Sequence, residues 1–413
     1  MKFEVPDKNL FYVADRGDVP SIKDVADALH QGFMNPIGAP PLRDSVREGD
    51  KVVILADDLT RPTPQKTLLP LVVDELNALG VRDDDIEVII ALGTHRPMSD
   101  EEIIDRFGKA VVEKVQVTNH DYKHEEGLVD LGRTPLGIPI VVNRKIVEAD
   151  YVISIGNIVP HCYSGWAGGG KMVQPGVSGY ETTAETHVMA GKIRPLSRIT
   201  GNLDNPIRKE MDEIAVKAGL RLIVNTILNA DDEISKIMVG DPVKALHEGV
   251  KFAEKIYCPE VPGLADIVVL SSYPADIDYW QAHKATVYGT LGVKEGGTVI
   301  LVTPCPEGIS RQHPEVAEWG SRSYEDILRA TDNGEIKDRI AAGILLIHAQ
   351  AVGHAEVVCV SEYLKESEKK SIGFRHAESV EEAIQYALKK HGENAKIGIL
   401  RCGEIVPKVR ESL

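Results

Sequence analysis

Apolar positions along the chain alternate between short, nearly solid runs and longer stretches with helical spacing. Residues 51–58, Lys-Val-Val-Ile-Leu-Ala-Asp-Asp, predict a strand ending in carboxylates, and the apolar spacing over 63–80 predicts a helix. A second strand, 87–92, runs into Gly93-Thr94-His95-Arg96, after which Ser99 and Glu102 form a capping-box signal for another helix. Further buried strands are expected at 151–155, 220–225, 267–270, 298–302 and 357–360, with helices such as 242–257 and 380–391 among them. Alternation of this kind predicts an α/β fold with largely parallel sheets.

Length turns that pattern into two α/β domains with an interdomain active-site cleft, because 413 residues exceed what one hydrophobic core organises. The boundary is placed in residues 258–264, where two prolines and a glycine join a long helix to a fresh strand. The first domain, 1–264, is expected to bind the cofactor and be completed by 393–413, with the last strand, 396–400, returning to it. The second, 265–392, is expected to close over the substrate. Residues 365–370, mixing acids and lysines, are expected to form a solvated face.

No run approaches the roughly 18 apolar residues needed to span a bilayer, and Met-Lys-Phe-Glu-Val-Pro lacks the core of a secretory signal. A cytoplasmic address without membrane partners is expected. Five cysteines with no C-x-x-C pair suggest neither a disulfide framework nor a cysteine zinc site. A net charge of −16 opposes nucleic acid binding, so any anionic ligand needs a local basic site.

One segment offers such a site: Asn157-Ile-Val-Pro-His161-Cys-Tyr-Ser-Gly-Trp-Ala-Gly168-Gly169-Gly170-Lys171-Met-Val-Gln-Pro-Gly176, following the 151–155 strand. Its glycines let backbone N–H groups approach an anion, and its lysine can be a counter-ion or nucleophile. Met172 stands where a Walker loop needs Ser or Thr for magnesium, so this is no Walker loop. His95, His161 and His187 are all expected at or just beyond strand ends, where α/β enzymes place ligands. Histidine can exchange protons near neutrality or ligate a metal. The residues alone therefore predict a metal or anion site with acid–base histidines. They leave open a zinc hydrolase on the three histidines, and a nucleotide-binding sensor. His120 and Asn205-Pro206-Ile207-Arg208 are expected to be supporting or structural, and His283, His313, His348 and His354 ordinary core or surface residues. Gln350 could border the cleft, but the sequence assigns it no contact.

Five ordered motifs resemble the lactate racemases that depend on a nickel-pincer nucleotide: Asp58-Leu-Thr60-Arg61-Pro62, Gly93-Thr94-His95-Arg96, the loop from His161 to Gly176, His187, and Gln281-Ala-His-Lys284. The resemblance spans essentially the whole chain. It implies a racemase or epimerase of 2-hydroxy acids working by reversible hydride transfer through a 2-keto acid. It further implies a pyridinium-3-thioamide-5-thiocarboxylic acid mononucleotide attached to Lys171, with Thr60 and Gly168–Gly170 contacting this cofactor. His187 would ligate Ni(II) beside the cofactor's sulfurs, a soft set suited to square-planar nickel. His95 and His161 would be the acid–base pair, with Asp58, Arg61, Trp280, Gln281 and Lys284 toward the substrate. Enzymes that build and insert the cofactor are implied partners, and a homo-oligomer is left open. Trp166-Ala167 replaces the family's common Phe-Ser, and Trp280 stands where lactate-specific members tend to have tyrosine. Larger acids such as malate, aromatic hydroxy acids or sugar acids are therefore alternative substrates.

Overall fold

The protein, described by a computed structural model over residues 2–410, is built on two six-stranded sheets. In the first, the strands run in the order Ile234–Gly240, Leu220–Leu228, Tyr151–Asn157, Val52–Ala56, Ile86–Ile90, Gln116–Asn119. All pairs are parallel except the first, which is antiparallel. Val52–Ala56 and Tyr151–Asn157 are buried along their whole length, as strands covered on both faces must be. The expected helix becomes Gln65–Ala78, and Ser99 and Glu102 do form a capping box on Asp100–Phe107.

The second sheet is parallel throughout: Leu10–Ala14, Ile397–Leu400, Ala265–Ser271, Val293–Val302, Glu356–Val360, Arg375–Ala377. This corrects the sequence expectation that the strand 396–400 returns to the first domain, although Lys408–Val409 beyond it does pair with Glu260–Val261. Ile397–Leu400 instead pairs with Ala265–Ser271 on one side and Leu10–Ala14 on the other. Its apolar side chains need cover, and the Asn9 side chain fastens the turn before it by donating to the carbonyls of Glu393 and Ala395. The segment Leu10–Ala14 lacked a sequence signal because its partner lies almost four hundred residues away.

Lys369 is another departure, since it is fully buried and donates to the Ser361 carbonyl while its Nζ lies 2.9 Å from His376 Nδ1. Residues 365–370 are thus not simply a solvated face.

The two halves meet directly where Arg339–His354 packs on Tyr180–Lys192. Gly343 makes the approach feasible, because a Cβ there would lie 2.3 Å from the backbone carbonyl carbon of His187. That contact fixes the height of His187 over the cleft.

Candidate active site

The cleft opens at the carboxyl ends of the first sheet's central strands and is closed from the other side by the helix Tyr279–Gly292. Asp57 and Asp58 follow Val52–Ala56 directly. Asp57 is consumed structurally, accepting from Thr63, from Gln65 at 2.8 Å and from Arg106 at 2.8 Å. Asp58 faces His95 instead, with Oδ2 2.7 Å from Nδ1. Its other oxygen accepts from the Thr60 backbone at 3.1 Å and hydroxyl at 2.6 Å.

His95 lies on the loop after Ile86–Ile90, and its Nε2 is 2.9 Å from Gln281 Nε2. A carboxylate can only accept and an amide nitrogen can only donate, so the ring carries its proton on Nδ1 and offers a lone pair at Nε2. Burial favours that neutral form and Arg61 and Lys284 reinforce it, whereas Asp58 opposes; the net shift is downward. Burial alone would raise the Asp58 carboxyl, but His95 and Arg61 outweigh it and hold the group well below the usual range. The Gln281 amide oxygen accepts from Lys284 Nζ and, at 3.4 Å, from Arg61. One continuous network therefore links Thr60, Asp58, His95, Gln281, Lys284 and Arg61 across both halves.

The opposite part of the cleft is formed by the glycine loop, where Pro160–His161 pairs with Gly165–Trp166 and a single turn, Gly169–Met172, carries Lys171. Gly168 has φ +86°, and a Cβ there would meet Asn225 Oδ1 at 2.7 Å, so no larger residue fits without displacement. The Gly169 N–H donates to that same oxygen at 2.9 Å. Arg208, fully buried, donates to the carbonyls of Trp166, Ser164 and Gly168 and holds the loop from behind.

Burial depresses the Lys171 ammonium far below the ordinary lysine range, and the positive charges of Arg61, Lys284 and Arg208 press the same way. A lysine whose charged form is disfavoured in this way is a candidate nucleophile. Burial above all, with Lys171, Lys284 and Arg61 nearby, also disfavours the charged form of His161. Lys284 is pushed down to about 7 by burial and Arg61. His187 sits in the middle of Tyr180–Lys192 rather than at a strand end, correcting the sequence reading. Its Nδ1 is 2.7 Å from the Thr183 carbonyl, which leaves Nε2 unprotonated and free. Tyr163 packs between His161 and His187, with both ring centroids 4.5 Å away.

Lys171, His187, His95, His161, Arg61, Asp58, Trp280, Gln281, Lys284 and Gly168 all line this one cavity. Gly169 and Gly170 do not; the space a Cβ would take beside them is already filled by Leu246 and by Asp212 and Met211. Thr60 lines an adjoining chamber rather than the main one. Trp166 is a core residue whose indole donates to the Gly201 carbonyl at 2.9 Å. His120 is likewise structural, with its Nε2 3.0 Å from the Ser178 carbonyl, and Gln350 caps a helix end by donating to Gly191 and Ile193.

Wall residues to which the sequence assigned no site role include Asn157, His283 and Tyr163. Asn157 ends the strand that feeds the glycine loop, and His283 stands between Gln281 and Lys284; both positions were signals. Tyr163 had none beyond its neighbour His161.

The cation-rich lining fits an anionic nucleotide. Asn157 Nδ2 is buried without a partner in the cavity wall, and Arg61 and Lys284 converge there beside Lys171. Among the described residues, no three His, Cys, Asp or Glu side chains gather into a metal-binding group. The three histidines thus do not assemble the protein-only zinc site that a hydrolase would need. A single free imidazole nitrogen on His187 suits a metal whose other ligands come with a cofactor.

Comparison with known proteins agrees with this arrangement. Family models for the lactate racemase N-terminal and C-terminal domains match residues 1–200 and 262–406. A lactate racemase from Thermoanaerobacterium thermosaccharolyticum is 30% identical over 313 residues, covering 75% of this chain and 73% of the relative. The chain belongs to the lactate racemase family. Another lactate racemase, from Lactiplantibacillus plantarum, is 28% identical over 391 residues, covering 91% of this chain and 89% of the relative. The lactate racemase apoprotein structure from T. thermosaccharolyticum matches with a TM-score of 0.85 at 27% identity, covering 99% of this chain and 97% of that one. A Thermotoga maritima protein, 18% identical with a TM-score of 0.73, covers 96% of this chain and all of its own and shares the fold. As a lactate racemase family member the protein is an isomerase of the racemase type, in a family that is generally nickel-dependent. No described helix is long and apolar enough to cross a membrane.

Proposed function

We propose that this protein inverts the hydroxyl-bearing α-carbon of a 2-hydroxy acid, lactate or a larger relative, with a nickel-pincer nucleotide joined to Lys171. The observation that carries the reading is the meeting of His95, His161, a buried Lys171 and an open-edged His187 in one cleft. Lys171 would form the covalent link, His187 would ligate nickel, and Asn157 would bond the nucleotide. Bound there, the group supplies an acceptor that takes the α-hydrogen as hydride and returns it, the family's known chemistry.

The chain's own residues then have separable tasks. His95 Nε2 accepts the substrate's hydroxyl proton from one side, at the place now held by the Gln281 amide, while Asp58 stabilises the imidazolium that results. His161, whose Nδ1 has only the long contact from the Tyr163 N–H, would exchange the proton from the other side, so the 2-keto acid can be reprotonated on its oxygen from either. Lys284 and Arg61 hold the substrate carboxylate, which leaves the α-carbon free to present either face. Trp280 shields the centre from water.

The test is to produce the protein together with the enzymes that build and insert the cofactor. A mass adduct on Lys171, bound nickel, and inversion of an enantiopure 2-hydroxy acid are expected. An adduct on a different lysine in active protein would reject the assignment. His187→Ala should lose nickel while His95→Ala and His161→Ala retain it.

A further inference from the structure

A second chamber adjoins the cleft, and the two share Asp58, Thr94, His95, Trp280 and Gln281. It opens beside the histidine that would take the hydroxyl proton, so whatever substituent the reacting carbon bears has this space next to it. Its far wall is the loop after Val293–Val302, fastened to the start of Tyr279–Gly292 by bonds from Tyr279 and Trp280 N–H groups to the Gly308 and Ile309 carbonyls, each 2.9 Å. The loop and Trp280 are therefore one unit.

His313 on that loop is built for a purpose its surroundings do not use. Its ring stacks on the Trp280 indole with centroids 4.0 Å apart and planes 15° from parallel. Its Nδ1 lies 2.5 Å from Asp338 Oδ2, and Asp338 Oδ1 in turn accepts from the Ile340 and Ala341 N–H groups at 2.9 and 3.2 Å. Stacking and carboxylate together fix the ring in the wall. Its Nε2, on the opposite edge from Asp338, is buried with no hydrogen-bond partner. Buried polar atoms in native proteins are almost always paired, and a deliberately oriented exception points to a ligand.

The chamber's charges say what kind. Asp58 is engaged by His95, Arg96 is shared between Glu102 and Glu307 at 2.7 and 3.7 Å, and Asp278 caps the helix by accepting from the Gln281 N–H. Arg311 is the remaining cation in the lining, and it is exposed. Such a balance does not favour a second carboxylate, and the oriented imidazole edge is wasted on a purely hydrocarbon or phenyl substituent. We propose that this chamber holds the substrate's side chain and that His313 Nε2 hydrogen-bonds a hydroxyl on it, making the preferred substrate a polyhydroxy acid. The proposal rests on the racemase reading above.

Cofactor-loaded protein should be offered lactate, glycerate, longer polyhydroxy acids, malate and phenyllactate as single enantiomers. A polyhydroxy acid should lead lactate in kcat/KM by at least about tenfold, since a site that bonds a substrate hydroxyl discriminates against its absence. His313→Phe keeps a ring on Trp280 but has no bonding atom, and should bring that ratio toward one, chiefly through KM. His313→Gln should restore part of it. Calorimetric binding of the same polyhydroxy acid to cofactor-free protein should weaken in His313→Phe as well. Preference for lactate, malate or phenyllactate overturns the proposal, as does a polyhydroxy preference that His313→Phe leaves intact. Both outcomes leave the racemase reading standing. Failure to invert any acid with nickel and the Lys171 adduct confirmed would instead overturn that reading, and the binding comparison would still decide for or against His313.

Discussion

The two sides of the cleft hold their histidines in opposite ways. His95 is tied at both ring nitrogens, to Asp58 at 2.7 Å and Gln281 at 2.9 Å, and through Gln281 it is connected to Lys284 of the facing helix. Among the described residues His161 has only one hydrogen-bond contact, a long one of 3.5 Å from the Tyr163 N–H to its Nδ1, and its charged form is disfavoured by burial and by Lys171, Lys284 and Arg61. One imidazole is oriented by a carboxylate, the other set by burial beside positively charged side chains. If the two imidazoles serve opposite faces of the substrate, as proposed, equal chemical tasks rest here on unequal supports. The difference also predicts that the two sides fail differently when perturbed.

The largest effect should come from removing what both sides share. Lys171→Ala should abolish the adduct and with it all turnover, checked by intact mass and stereochemical assay. Next, His95→Ala and His161→Ala should each lower turnover about 10²–10⁴-fold, the usual contribution of a general acid–base group. An enantiomer pair has an equilibrium constant of one, so kcat/KM must fall equally in both directions in either variant. Near-normal rates with full loading would remove that histidine from the mechanism.

Asp58→Asn sharpens the comparison, since it should cost about 10–100-fold by releasing the His95 ring while leaving His161 untouched. Lys284→Ala should raise KM by about thirtyfold, equivalent to roughly 2 kcal/mol for a lost charge-assisted contact to the substrate carboxylate. The smallest effect is on pH dependence. With its ammonium pushed down to about 7, Lys284 is charged below that pH and neutral above it. Carboxylate binding should therefore be strongest at lower pH, and kcat/KM should decline as pH rises through about 7. A profile flat through this range in wild-type protein would argue against Lys284 as the anchor.

Sequence legibility followed the range of the interactions. The strands of the first sheet were readable because solid apolar runs declare buried parallel strands locally, and the capping box of Ser99 and Glu102 is a three-residue signal. The partnership of Leu10–Ala14 with Ile397–Leu400 was not, since nothing within either segment names the other. The motif residues Asp58, His95, His161, Lys171, His187, Gln281 and Lys284 were legible through a family resemblance, and they line one cavity. His313 was passed over as an ordinary residue. Its significance depends on Asp338, twenty-five positions on, and on Trp280 beneath it, both of which only folding brings together.

The central claim is that one histidine serves each face of the substrate, and quenched single-turnover measurements test it most directly. Cofactor-loaded His95→Ala and His161→Ala proteins would each be mixed with one pure enantiomer, and the 2-keto acid formed on the enzyme would be quantified. The account predicts that His95→Ala fails to form it from one enantiomer but still does so from the other, and that His161→Ala shows the reverse pattern. Keto acid formation from both enantiomers at wild-type rates in either variant, or loss from the same enantiomer in both, would contradict it.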